Sequence, residues 1–171
     1  MSSDDAIIPE ERLRLIFICC HPAVAPDSRA ALTLRLVCGL EVAEIARAFL
    51  TNDIALQQRL VRAKRKIREA GVSFEVPGQE AWPERLSAVL STLEVAYSKA
   101  HEDAAGSGRH AGFAAEMLAL TALLASMMPD EAEVQALAAI IRFAEARRPA
   151  RLAADGSMIP LSEQDPARRS G

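Results

Sequence analysis

Apolar residues recur with a helical period along most of the chain. The stretch ERLRLIFICC follows Pro9 and stops short of Pro22 and Pro26, which predicts a first helix. Asp27-Ser28 stands where it can cap RAALTLRLVCGL. In that helix Leu32, Leu34, Leu36, Val37 and Leu40 wrap more than one face, so it should be covered on two sides, and Gly39 offers its stop. EVAEIARAFL then places Val42, Ile45, Ala46 and Phe49 on one stripe. After the polar step Thr51-Asn52, DIALQQRLVRAKRKIREAG repeats Leu56, Leu60, Ala63 and Ile67 at i, i+4, i+7 and i+11 and ends at Gly71. Two short amphipathic helices joined by a tight polar step predict a helix-turn-helix.

The segment SFEVPGQEAWP has two prolines and a glycine without helical period, which predicts a linker at 73–83. Beyond it PERLSAVLSTLEVAYSKA reads as a helix, EDAAGSGRHAG as a flexible loop, and FAAEMLALTALLASMM as a buried helix apolar on nearly every face. Pro129-Asp130 should end that helix and cap EAEVQALAAIIRFAEARR, with Glu133 three residues past the Asp130 cap. Asp155-Gly156 between two short apolar arms is a hairpin signal, and the tail SEQDPARRSG should fray. The expected fold is all-α. It has a helix-turn-helix domain at 10–72, the linker, and a small helical domain at 84–171 with a short C-terminal β-hairpin.

Composition narrows the function classes. Of 171 residues half are apolar but only 4% aromatic, in keeping with packed helices. No stretch approaches the roughly 18 apolar residues of a membrane span. The acidic first residues are unlike the basic start of a signal peptide. These features point to a cytoplasmic protein with no membrane partner. The net charge of −3 excludes a general polycation, so any basic site must be local. It is: Arg59, Arg62, Lys64, Arg65, Lys66 and Arg68 lie close together with no acid among them.

At about 100° per residue, Ile54, Gln58 and Arg65 point away from the apolar stripe of their helix. Arg59, Arg62 and Lys66 lie along one flank, and Gln57, Lys64 and Arg68 along the other. Such a helix suits the DNA major groove, with N-terminal side chains at base edges and cationic flanks at phosphates. Gln57, Gln58 and Asp53 are the candidates for base readout. Arg59, Arg62, Lys64, Arg65 and Lys66 are the candidates for backbone contact. A basic run alone is as readily a solvated helix face; the neighbouring short helix favours DNA.

The segment from ALTLRLVCGLEVAEIARAFL through QQRLVRAKRKIREAG resembles region 4 of extracytoplasmic-function (ECF) sigma factors. FICCHPAVAP ahead of it, and MMPDEAEVQALAAIIRFAEARRPARLAADGSMIPLSEQD behind, are similar to one subgroup with a helical extension. The resemblance implies transcription initiation: promoter DNA read at the minus-35 element by the helix from Asp53 to Ala70, and docking on the β-flap of RNA polymerase. Nothing here resembles region 2, so the expectation is a fragment, a split product or a repurposed relative. The competing expectation is an interaction module that keeps the fold without reading DNA.

Other candidates are weaker. Cys19, Cys20 and His21 adjoin at a helix end and lack the spacing of a zinc site, so packing is the expected role. His101 and His110 should face solvent. No phosphate-binding glycine loop or nucleophile motif occurs, so neither an enzyme nor a cofactor is expected. The apolar faces of 113–128 and 131–146 are core by first expectation and a homodimer interface by second. Arg147, Arg148 and Arg151 sit near a helix C-terminus, where the helix dipole favours cations, and are expected to be structural.

Overall fold

The computed structural model describes residues 9–73, 75, 77–107, 111–155 and 157–169. Their regular secondary structure is helical, with no strand among them, as the all-α expectation required. The chain forms two compact units, Met1–Val95 and Ala96–Gly171.

In the first unit, α1 (Pro9–Cys19), α2 (Pro26–Leu36), α3 (Val42–Ala48) and α4 (Asp53–Glu69) precede the start of α5 (Trp82–Ser107). Helix α2 is the centre: Ala30, Ala31, Leu32, Thr33 and Leu34 are all buried, so it is covered on every side through its middle. Its neighbours α1, α3 and α4 supply that cover. Pro26 occupies the first turn and Ala25 is the N-cap, so Asp27 lies inside the helix and the expected Asp27-Ser28 cap is not made. A proline at this position needs no amide partner and comes with φ already helical, which moves the start upstream. Gly39, at φ 70°, ends the helix as expected, with Cys38 N–H and Leu40 N–H donating back to Thr33 O and Leu34 O.

The stretch expected to be a linker contains a 3₁₀ turn at Gln79–Ala81 and the first two residues of α5, Trp82 and Pro83. The early turns of α5 lie in the first unit. Arg85 Nη2 donates to Phe17 O at 2.6 Å and the guanidinium stands 6.0 Å from the centre of the Phe17 ring. Leu86, Val89 and Leu93 are buried on the same side. Helix α5 also runs on to Ser107, through most of the stretch expected to be a flexible loop. The sequence His101-Glu-Asp-Ala-Ala is helix-forming, and the following Gly106 does not break it.

The second unit holds the end of α5 with α6 (Ala111–Met127), α7 (Ala132–Ala146) and the short α8 (Arg148–Arg151). Helices α6 and α7 pack on each other, and Met117, Leu120 and Leu124 of the first and Val134 and Ile141 of the second are buried. Those stripes therefore serve as core, and the homodimer receives no support from them. Helix α6 is not buried all round: Ala115, Ala119, Ala122 and Ser126 form an exposed row, where small side chains leave little apolar area in water. The N-cap of α7 is Glu131, not Asp130, and its side chain makes no capping bond. Instead Gln135 Nε2 reaches Ala125 O and Met128 O and closes the end of α6.

Tyr97 OH donates to Glu145 Oε1 at 2.7 Å, and Arg148 grips the same carboxylate with bonds of 2.6 and 2.8 Å. Burial and the anionic partner push the Tyr97 hydroxyl well above its ordinary range. The expected hairpin is absent. Leu152 and Met158 form one isolated antiparallel bridge. Ala153 N–H donates to Ser157 O and Ile159 N–H to Arg151 O, but the ladder goes no further, since Arg151 is the last residue of α8 and Leu161 opens a 3₁₀ turn. Gly156 itself lies outside the described residues, as does the end of the tail.

Candidate functional site

Helices α3 and α4 form a short brace and a longer rod. The brace starts with a reciprocal capping box, in which the Glu41 side chain takes the Glu44 amide while Glu44 Oε2 takes the Glu41 amide at 2.9 Å. Arg35 donates to Leu40 O at 2.7 Å and lies 3.7 Å from Glu41, tying the end of α2 to the start of α3. Ile45 and Ala46 are buried, and Ala46 has only a methyl to keep the helices apart. The turn between the helices closes with Leu50 N–H on Arg47 O and Thr51 N–H on Ala46 O. Leu50 takes the left-handed conformation, φ 51°, which costs a non-glycine residue about 1–2 kcal/mol. Asn52 then caps α4, its Oδ1 accepting from Ala55 N–H at 2.8 Å.

The stripe along α4 lies where the period put it: Leu56, Leu60 and Ala63 are buried and Ile67 half-buried. Full burial of a leucine such as Leu56 contributes about 1.5–3 kcal/mol, enough to hold the helix against α2 and α3 and fix which face looks outward. On that outward side Asp53, Gln57, Gln58, Arg62, Lys64, Arg65, Lys66 and Arg68 are exposed, and Arg59 is half-buried. Glu69 lies 3.5 Å from Arg65 and 3.7 Å from Lys66. Both cations nevertheless keep about 60% of their side chains exposed, and surface pairs of this kind are weak. Among the described residues no ion pair engages Arg62, Lys64 or Arg68. The chain thus presents one cationic rod, capped at its start and stopped by Gly71 at φ 60°.

Two apolar side chains share that outward face. Ile54 is 69% exposed and Val61 is 63% exposed. The helical period turns Ile54 away from the core, but neither Ile54 nor Val61 is among the candidate site residues that the sequence offers. The signal was present: Ile54 falls about one turn before Gln58, and Val61 lies about one turn from both Gln58 and Arg65, on the same ridge.

Elsewhere the candidates are structural. Cys19 and Cys20 are fully buried. Burial raises both thiols above their ordinary range, which keeps them protonated and poorly nucleophilic. Cys20 Sγ lies 3.7 Å from Thr33 Oγ1. His21 Nδ1 accepts from Ala23 N–H at 3.1 Å, and partial burial, with Arg85 and Arg29 nearby, lowers its pKa. No group of three or more His, Cys, Asp or Glu able to hold a metal occurs among the described residues. The side chain of His101, and all of His110, lie outside the described residues. No described helix is long and apolar enough to cross a membrane. In the second unit the lining of an open groove of about 740 Å³ includes Leu118, Arg142, Phe143, Arg147 and Arg169.

Residues 14–67 match the family model described as sigma-70, region 4, which covers α2, α3, most of α4 and most of α1. This part of the chain is sigma-factor-like. Residues 85–170, half of the chain, match a family of unknown function designated DUF6596. The chain belongs to that family. The DUF6596 segment takes in α5 from Arg85 onward and the described helices after it, and its family has no assigned role. An uncharacterized protein of Rhizobium meliloti (strain 1021), R00370, is 36% identical over 163 residues, covering 95% of this chain and 38% of the relative. The chain thus spans well under half the length of that relative. No solved structure matches it.

Proposed function

We propose that the protein is an ECF-type, sigma-factor-like transcription protein that binds promoter DNA at the minus-35 element through α4 and docks on the β-flap of RNA polymerase. The observation that carries this reading is the exposed cationic rod on a buried, braced stripe, in the part of the chain that matches sigma-70 region 4. In this reading α4 lies in the major groove. Gln57 and Gln58, with Asp53 at the first turn, face base edges, where a glutamine can pair with both N6 and N7 of adenine. Arg59, Arg62, Lys64, Arg65 and Lys66 meet the phosphates on the two sides, and the half-buried Arg59 has the shortest reach. The functional boundary then falls at the 73–83 stretch, with 10–72 reading DNA and 84–171 acting as a helical docking or regulatory module. Such a protein works in the cytoplasm and needs no cofactor and no catalytic residue.

The test is binding of promoter-like duplexes across a salt series. Four to five phosphate contacts give a steep fall of affinity with salt, and Arg62→Ala or Lys66→Ala each lower the logarithmic slope by about one and weaken all sequences alike. A flat salt response, or slopes unchanged in both variants, would replace this reading with that of an interaction module that has lost DNA binding.

A further inference from the structure

The outward ridge of α4 alternates apolar and hydrogen-bonding side chains: Ile54, Gln58, Val61 and Arg65 follow one another at i, i+4, i+7 and i+11. Ile54 and Val61 are 69% and 63% exposed, while the buried stripe of the same helix already satisfies its packing. Isolated apolar residues on a surface need no explanation. Here, however, two of them bracket the outermost amide on a helix whose other outward positions are polar or charged, and cations flank the ridge on both sides. Whatever covers this ridge must offer apolar contact at its centre and negative charge at its edges. Duplex DNA offers both in the major groove, where the C5-methyl of thymine is the apolar feature of the floor and phosphates form the walls.

We propose that Ile54 is a specificity-determining residue of α4, reading a thymine methyl next to the base that Gln58 reads; this rests on the DNA-binding reading above. Ile54 lies in the first turn, where side chains of a groove-bound helix reach deepest, whereas Val61 lies two turns on. One helical turn separates Ile54 from Gln58, a rise of about 6 Å, or about two base steps. The thymine therefore falls within two base pairs of the adenine taken by Gln58. The site preferred by the full chain then contains a thymine that the family of phosphate contacts cannot select.

The experiment uses the full chain and duplexes selected by it from a randomised pool. Each thymine is replaced in turn by uracil, which removes the methyl alone. At one position the replacement is expected to weaken wild-type binding about fourfold, the effect of one lost buried methyl. Ile54→Ala should lose a similar factor on the thymine duplex and become indifferent to uracil at that position. Val61→Ala, altered on the same ridge, should keep the wild-type preference, and as both sites are exposed, the melting curves of both variants should match the parent. The proposal falls if wild type ignores the methyl at every thymine, or if Ile54→Ala still discriminates, while salt-dependent binding persists. It also falls if Ile54→Ala leaves DNA binding untouched and weakens binding to RNA polymerase core, since the ridge then faces protein. Failure to select any duplex would remove the underlying DNA reading as well.

Discussion

Helices α4 and α7 are close in length, 17 and 15 residues, and each buries one stripe, yet they present opposite outer faces. The outer face of α4 is cationic, its start is fixed by the Asn52 cap, and a brace lies beside it. The outer face of α7 carries Ile140, 63% exposed, and Phe143, 73% exposed, and its N-cap makes no side-chain bond. The contrast shows that burial pattern builds a helix while the remaining positions decide what it can meet. A polyanion fits the first face. The second leaves a bulky aromatic in water beside Arg142 and Arg147 and has no comparable chemical signature.

The buried stripes should matter equally, which the largest effects can test. Leu56→Ala in α4 and Ile141→Ala in α7 each remove a fully buried side chain and should cost about 2–5 kcal/mol, read as a lowered urea midpoint. A loss below about 1 kcal/mol at Leu56 would mean that α4 is not seated on a core and that its outward face is not fixed.

The two N-termini should then differ. Asn52→Ala should cost about 1 kcal/mol through the lost Ala55 bond, whereas Glu131→Ala should lie within about 0.5 kcal/mol of the parent. Equal costs would erase the distinction between a pinned and an unpinned helix start.

The smallest effect concerns pH and belongs to the first unit. The pKa of His21 is lowered in the folded protein, chiefly by burial, so the unfolded chain takes up its proton first. Its contribution to stability is whole above about pH 6.5, the unfolded value, and declines as the pH falls from there through the lower folded value. His21→Gln should flatten that part of the acid limb in a denaturation series, and an unaltered limb would assign the slope to other groups.

Much of α4 was legible because a buried stripe and a charged face obey one period: Leu56, Leu60, Ala63 and Ile67 fixed the direction in which Arg62, Lys64 and Lys66 look out. The site was less legible where a residue belongs to neither class. Ile54 is apolar yet exposed, and Arg59 is charged yet half-buried, because its place on the flank brings its stem against the protein. The fold was misread where local signals compete. Gly106 and Gly108 suggested a loop although alanines carried α5 to Ser107. Asp27 and Asp130 looked like caps, but the helices start at Pro26 and Ala132, the first with a proline in its opening turn and the second with no side-chain cap bond. Alanines concealed the open side of α6, since a pattern of apolar letters does not distinguish a methyl left in water from a leucine under cover.

The grip of Arg85 on the backbone of Phe17 bears on how the molecule can be dissected. The sigma-like match stops at 67 and the DUF6596 match starts at 85, which invites a cut between them. A fragment severed there would strip the Phe17 carbonyl and ring of their guanidinium and uncover the wall formed by Leu86, Val89 and Leu93. The smallest excised piece with its interior closed therefore runs at least to Val95, so ancestry and architecture place the seam at different residues.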